Sequence, residues 1–316
     1  MPSIVCIVLN YKTPDLAVQA TEAARAQLAA YPGSYVHIVD NDSRDGSYEK
    51  LRKAVREHGW SDVRVTHAGR NGGYGAGNNI GIRAALRDPS PPDYLYILNP
   101  DARPDEGSIA ALVDFMERTP DAAAAGSALH GPDGEPHNTA FRFPTFESEV
   151  IAGFRLGVVA RLFKEREVAI RPIPSETREV DWTAGASLMI RRSVLEEVGL
   201  FDETFFLYFE ETDLCRRMRL AGYRIYYVVE SQTTHIGSVS TGMKDNEKPM
   251  PRFWFESRRH YFVKNHGKGY AWAANVAHIT GLSTFNVINR LRGRDGVDRK
   301  NYYSDFIRFN FGDGRP

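Results

Sequence analysis

The sequence predicts an α/β fold: a mainly parallel central sheet flanked by helices, with a helical extension at the C-terminus. Strand-like and helix-like segments alternate through the first 125 residues, polar and acidic residues close several apolar runs, and two long helical patterns end the chain. Ile4 to Leu9 is the first run, ending in Asn10-Tyr11-Lys12, with a helix from Asp15. Tyr35 to Val39 is the second; it ends in Asp40-Asn41-Asp42-Ser43, and a helix opens at Gly46. Val63 to Thr66 comes third, followed by a glycine-rich stretch and a helix from Gly77. Tyr94 to Leu98 lies between Pro91-Pro92-Asp93 and Asn99-Pro100-Asp101, so five mostly apolar residues bounded by turn signals read as a buried strand. A helix is expected from Asp105, with Pro104 at its start, then a strand from Ala122.

After the turn signal Gly131-Pro132-Asp133-Gly134 the alternation stops and a second region begins. It holds a strand around Ala186 to Ile190, an acidic helix from Glu210 to Leu220, a strand from Arg224 to Val228 and a Gly/Ser/Thr-rich loop from Thr233 to Gly242. Helical stretches over Arg252 to Lys264 and Ala271 to Leu291 close the chain.

Composition narrows the function. Of 316 residues, 42% are hydrophobic and 25% charged, ordinary for a soluble globular protein. Forty basic residues balance forty acidic ones, so no global field draws in nucleic acid, and an anionic ligand must be held by a local site. Cys6 and Cys215 lack CxxC spacing, which argues against a disulfide framework or zinc site and suggests a reducing, cytoplasmic compartment. The N-terminus lacks the charged region of a signal peptide, and no run reaches the roughly 18 apolar residues of a membrane span. Peripheral contact at the inner face of the cell membrane stays open. Trp272, Val276, Ile279, Leu282 and Phe285 recur at helical spacing, with Arg290, Arg292 and Arg294 behind them, though packing within the domain is the better account of such a stripe.

In open α/β sheets ligands bind beyond the carboxyl ends of the strands. Asn10, Tyr11, Asp40, Asn41 and Asp42 are delivered there, either to a nucleoside or as turn and cap residues. Asn71-Gly72-Gly73-Tyr74-Gly75-Ala76-Gly77-Asn78-Asn79 offers free backbone N–H groups to an anion, but it is neither a P-loop nor GxGxxG. Asp101 is a hard oxygen ligand suited to Mg²⁺ or Mn²⁺ carrying phosphates, and His235, among flexible residues, is a plausible second ligand. On the acidic helix, Leu207, Leu214 and Met218 form an apolar stripe that Glu211 joins at i+4, so Glu211 is expected to face inward with a raised pKa, useful in a general base. Asp213 and Glu210 are expected on the solvated side near Arg216 and Arg217. Trp182 and the small residues Gly185 and Ala186 would let a substrate hydroxyl reach the backbone, and the aromatic run from Phe201 to Phe209 suits a sugar ring.

Taken together, Asn10-Tyr11, Asp40-Asn41-Asp42-Ser43, Asn71-Gly72-Gly73 with Asn78, Asn99-Pro100-Asp101, Gly185-Ala186, Phe201-Asp202-Glu203, Glu210-Glu211-Thr212-Asp213-Leu214 and His235 resemble the family 2 glycosyltransferases of GT-A fold, above all bacterial rhamnosyltransferase-like members. The resemblance covers roughly residues 3 to 265. It implies an inverting transfer from a nucleotide-diphosphate sugar, with rhamnose from a dTDP donor as the leading candidate. The acceptor would be a hydroxyl of a glycan, a lipid-linked carrier or a small molecule.

It further implies that Asp101 and His235 hold the metal and that Leu9, Asn10, Tyr11, Asp40, Asn41, Asp42, Asn71, Gly72, Gly73, Asn78, Asn99 and Asp101 line the donor. Glu211 would be the base with Asp213 in reserve, and Trp182, Gly185, Ala186 and Glu210 would meet the acceptor. Residues 1–125 form the donor half, 126–250 the catalytic half of the same domain and 251–316 a helical extension. In the family's more familiar motifs an acid stands at the place of Asn99 and an aspartate at that of Glu211. The aromatic segment Arg252 to Lys264 could serve as a homodimer face or as a lid. Two rivals follow from the residues: a sugar-1-phosphate nucleotidyltransferase, for which Asn10-Tyr11-Lys12-Thr13-Pro14 lacks a triphosphate-binding loop, and a non-catalytic sugar-nucleotide scaffold.

Overall fold

The computed structural model describes residues 1–237, 247–293 and 299–312. The continuous apolar runs become strands buried on both faces, as a sheet covered by helices on each side requires. These are β1 (Ile4–Asn10), β2 (Tyr35–Asp40), β3 (Val63–His67) and β4 (Tyr94–Leu98), separated by α1 (Pro14–Leu28), α2 (Ser47–Glu57) and α3 (Tyr74–Leu86). Next come β5 (Ala102–Pro104), α4 (Ser108–Arg118), β6 (Ala122–His130), β7 (Pro136–His137) and β8 (Ala140–Phe141). The helices α5 (Phe146–Phe154) and α6 (Gly157–Leu162) lead into β9 (Arg178–Val180), β10 (Trp182–Thr183) and β11 (Ser187–Arg191). After α7 (Arg192–Val198), α8 (Glu210–Leu220) and β12 (Arg224–His235), the chain ends in α9 (Arg252–His266), α10 (Lys268–Leu291) and α11 (Tyr302–Phe311).

The main sheet runs in the order β3-β2-β1-β4-β11-β6-β12-β5. The first four strands are parallel, as are β6 and β12, while β11 lies antiparallel between β4 and β6. This antiparallel insertion brings the start of β11, beside Gly185 and Ala186, to the edge where β4 ends, since Ser187 pairs with Leu98. Side chains of α1, α2 and α4 fill one face and those of α3, α7 and α8 the other. Between β4, β6, β11 and β12 six buried hydroxyls satisfy one another: Tyr96, Ser187, Ser127, Ser231, Ser108 and Thr233 lie 2.6–3.4 Å apart along the chain of contacts. Each pairing avoids the 1–3 kcal/mol or so that a buried unpartnered polar group costs.

The last three helices pack on α5 around a buried ionic group. Arg258 of α9 is almost fully enclosed and lies 2.8 Å from Glu149 of α5, whose other neighbour is His278 of α10 at 2.7 Å. Asn275 accepts from the same guanidinium at 2.6 Å. Burial pushes the Glu149 carboxyl up, but the Arg258 charge and the His278 hydrogen bond more than offset it and hold the group at about 2.

Several expectations change. Helices begin at Tyr74 and Ser108 rather than at Gly77 and Asp105, and 102–104 is a strand rather than a helix start. β12 runs on to His235, so the expected loop from Thr233 is strand at first; its residues 238–242, like Arg294, lie outside the described residues. The aromatics of α9 face inward: Phe255, Tyr261 and Phe262 are buried, and Trp254 packs on Tyr302. In the stripe on α10, Leu282 is buried and only Trp272 is largely exposed. Among the described residues no helix is long and apolar enough to cross a membrane.

Candidate active site

Parallel register sets Asn10, Asp40 and His67 in one row at the carboxyl ends of β1, β2 and β3. The row is not uniformly open. Asn10 is fully buried; its amide donates to Asp40 at 2.8 Å, and its carbonyl accepts from the Thr13 backbone at 3.1 Å. Asp40, almost as buried, also accepts from the Ser43 hydroxyl at 2.6 Å. These two residues therefore brace the turn that carries Asn41 and Asp42. Asp42 sits 3.5 Å from His67 and 2.7 Å from Arg44, and Asn41 donates to the Asn71 side chain at 3.0 Å and to the Gly73 carbonyl. Tyr11 is partly exposed beside Lys12, whose ammonium lies over its ring.

The glycine stretch serves close packing. Gly73 has φ +91, and a Cβ there would lie 2.0 Å from the Phe206 carbonyl oxygen; a Cβ on Gly77 would strike Leu9 at 2.4 Å. The N–H groups expected to be free at its start are already used, Gly73 donating to Asn71 and Tyr74 to the Phe206 carbonyl at 2.8 Å. Asn78 is fully buried, donating to the Tyr74 carbonyl while its own oxygen has no partner. Its neighbour Asn79, not singled out in the sequence, grips the Phe201–Glu203 loop through both its amide and its oxygen. A cavity of about 140 Å³ opens beside Asn41 and Gly72, lined also by Arg70, Arg83 and Glu203. Sequence reading singled out neither arginine: Arg70 stands just before Asn71-Gly72-Gly73, and Arg83 lies in the last turn of α3.

Asp101 and His235, 134 positions apart in sequence, meet through strand pairing. β5 lies antiparallel to the end of β12, with Ala102 opposite His235, and the Ile236 backbone donates to the Asp101 carbonyl at 3.1 Å. The Asp101 carboxylate stands 3.3 Å from His235 Nε2, and both side chains are largely enclosed. The ring of His137 packs edge-on against His235 at 6.3 Å. Asn99 has a buried side-chain oxygen without a partner, while its backbone N–H donates to the Ala186 carbonyl. A carboxylate, an imidazole and an unclaimed amide oxygen fit part of a divalent-cation shell. Among the described residues no three His, Cys, Asp or Glu side chains gather at one point, so diphosphate oxygens and water would supply the rest.

The acids of α8 depart from expectation in an instructive way. Glu211 has a carboxylate oxygen that is buried and unpartnered, and burial raises its pKa, opposed by the Gly185 backbone. Glu210, expected on the solvated side, is buried too; burial and the neighbouring Glu211 hold its carboxyl well above the usual range. Asp213 is likewise not solvated: fully enclosed, it pairs with Arg217 at 3.0 Å and with Lys264 of α9 at 2.8 Å, and accepts from Asn265. With its oxygens so engaged, Asp213 ties α8 to α9. Leu207 lies before the helix, whose entry is forced by two successive left-handed residues, Tyr208 and Phe209.

Tyr74 joins these parts. Its hydroxyl donates to the Gly185 carbonyl at 2.8 Å, and burial first, then the charges of Glu211, Glu210 and Asp101, push its pKa well above 10. The Asn99 backbone donates to the Ala186 carbonyl at 3.0 Å, so the Gly185-Ala186 segment lies between Tyr74 and the end of β4. The Gly185 and Ala186 carbonyls thus each already accept one bond; Trp182 stacks on Phe141 at 4.2 Å and donates to the Arg142 carbonyl. A larger cavity of about 510 Å³ lies between the ends of β6 and β12, lined by Leu129, His130, Ile173, Tyr227 and Gln232.

With this geometry in hand, comparison with known proteins is informative. The glycosyl transferase family 2 model matches residues 3–199. The chain is 34% identical over 218 residues to the N-acetylglucosaminyl-diphospho-decaprenol L-rhamnosyltransferase of Mycobacterium tuberculosis, covering 66% of this chain and 68% of that one. It is 30% identical over 166 residues to the rhamnosyltransferase WbbL of Escherichia coli, covering 52% of this chain and 60% of the other. Among solved structures, a mannosyltransferase from Pyrobaculum calidifontis in complex with GDP-Man and Mn²⁺ superposes with a TM-score of 0.57 at 16% identity, covering 94% of this chain and 76% of the other. The fold is thus the GT-A glycosyltransferase fold. The nucleotidyltransferase and scaffold readings are set aside, and the chain belongs to glycosyl transferase family 2, as a rhamnosyltransferase-like enzyme that transfers a sugar.

Proposed function

We propose that the enzyme moves a sugar, with rhamnose from dTDP-rhamnose as first choice, to an acceptor hydroxyl on a lipid-linked glycan, with inversion at the anomeric carbon. The observation that carries this reading is the meeting of Asp101 and His235 at 3.3 Å where β4 ends, beside the Gly185-Ala186 segment that Asn99 and Tyr74 hold. Support for the sugar and the lipid diphosphate comes from the relative in Mycobacterium tuberculosis and its 34% identity.

In this reading Asn41, Asp42, Asn71 and Gly72 line the nucleoside, while Asn10, Asp40 and Asn78 hold that wall in place. Asp101 and His235, with Asn99 beside them, would hold Mg²⁺ or Mn²⁺, which when bound neutralises charge on the departing diphosphate. Glu211 accepts the proton of the acceptor hydroxyl as its oxygen attacks the anomeric carbon. Its enclosure keeps water away and its raised pKa gives the carboxylate more affinity for that proton. Gly185, Ala186, Trp182 and Glu210 position the acceptor, and Tyr74 fixes the Gly185 segment against Glu211.

The test is a transfer assay with a panel of dTDP-, UDP- and GDP-sugars, with Mg²⁺, Mn²⁺ or EDTA, and a polyprenyl-diphospho-N-acetylglucosamine acceptor. Transfer of rhamnose from dTDP, lost in EDTA, with the anomeric configuration inverted by NMR, is expected. A product of retained configuration, or full activity in EDTA, overturns the mechanism, and preference for another donor overturns the sugar.

A further inference from the structure

α10 and α11 run antiparallel on the outside of the C-terminal extension: Phe306 stacks on His278 at 4.4 Å, and the Ser283 hydroxyl lies 3.0 Å from that of Tyr303. Their inner faces are occupied by the Arg258–Glu149–His278 group and the aromatics of α9. Their outer faces are not covered. On α10, Trp272 is 62% exposed, Val287 58% and Leu291 82%. On α11, Tyr303, Ile307 and Phe311 repeat at i, i+4 and i+8, which places them on one stripe, each 38% exposed. Two neighbouring helices thus turn apolar residues outward.

The charge on α10 has one sign, and on α11 a single acid stands beside a single cation, Arg308. α10 carries no acidic residue, and Asp305 is the only one on α11. Exposed cations stand at both ends of the face: Lys268 at the start of α10, Arg290 and Arg292 at its end, with Lys300 and Arg308 on the α11 side. An amphipathic surface with an apolar stripe, a tryptophan and a cationic rim is the pattern that lies in the interface of an anionic bilayer. A second copy of the chain fits less well. A two-fold pairing of α10 with itself, in either direction, sets cations against cations with no acid on that helix to relieve them.

We propose that the outer face of α10 and α11 docks the enzyme on anionic membrane lipid, Trp272, Leu291 and Ile307 entering the headgroup boundary and Arg290 and Arg292 meeting the lipid phosphates. The inference needs neither the donor nor the acceptor assigned above, because binding is read without turnover.

The test is co-sedimentation of the full chain with phosphatidylcholine vesicles, with and without phosphatidylglycerol. Binding to the anionic vesicles only, weakened by salt, is expected. Leu291→Asp with Ile307→Asp is expected to cut partitioning about tenfold or more, and Arg290→Glu with Arg292→Glu by a similar factor. All four positions are exposed, and an unchanged thermal melt checks that the fold is intact. No binding to anionic vesicles, or equal binding by both variants, overturns the proposal. So does a vesicle-free dimer, seen by light scattering, that Leu291→Asp with Ile307→Asp dissociates.

Discussion

Replacing Glu211 by Gln separates a catalytic carboxylate from a structural one. The side chain is isosteric, so packing around Leu214 and Met218 is kept, but the group can no longer take a proton. A placed general base is worth about 10²–10⁴ in rate, or about 3–5 kcal/mol of barrier. The stability effect has the opposite sign. A carboxyl whose folded pKa is raised stabilises the fold while protonated and loses that contribution as pH rises through the folded value, so ionisation of Glu211 weighs against folding. Glu211→Gln is therefore expected to keep donor binding, lose two to four decades of kcat, and melt at the same temperature as the wild type or above it. The rise of kcat with pH should flatten in the variant. Calorimetry, steady-state assays across pH and thermal melts measure all three. Turnover near wild type removes Glu211 from the chemistry, and a fall in melting temperature together with turnover makes it structural.

Asp213→Asn tests the reserve assignment: with the ion pairs to Arg217 and Lys264 broken, stability should fall by about 3–5 kcal/mol in urea unfolding. Asp101→Asn and His235→Ala should each weaken Mn²⁺-dependent nucleoside-diphosphate binding about tenfold or more by calorimetry, with little change in binding without metal. Glu149, held at about 2 rather than 4.5, contributes stability that is complete above about pH 4.5 and lost as pH falls toward 2; acid unfolding followed by circular dichroism should show that loss, and Arg258→Met should cost about 3–5 kcal/mol at neutral pH. Gly73→Ala forces a side chain into φ +91 against the Phe206 carbonyl and should cost about 1–3 kcal/mol from the backbone alone, read as a lower urea midpoint.

Much of the sheet and its polar edge was legible because it is local. An apolar run followed by Asn10, Asp40 or Asp101 names both the strand and the edge where its polar group emerges. Glu211 shares a helical stripe with Leu214 and Met218 as its spacing suggested, but Leu207, the first member of that stripe, lies before the helix. What escaped was set by partners far along the chain. β5 is three residues long, too short to show a period, and forms because the end of β12 lies beside it. Glu210 and Asp213 looked solvated on a helix taken alone; Lys264 and Asn265 of α9 and the Phe201–Phe209 loop enclose them. Asn78 and Asn79 are adjacent on α3, and only the position of the Phe201–Glu203 loop shows which of them holds it. The glycine stretch advertised open N–H groups, but the Phe206 carbonyl, more than a hundred residues on, claims one of them.

The pairing of Ala102 with His235 has a consequence for synthesis. As the ribosome releases the chain from its N-terminus, β1 through β4 can assemble early, yet the Asp101 side of the cleft stays unfinished until β12 has emerged and added itself beside β6 and β5. A nascent or truncated chain ending before Arg224 would carry β1 to β4 and Asp101 but lack both His235 and the strand that β5 pairs with, so the Asp101–His235 contact is among the last features of the sheet to form.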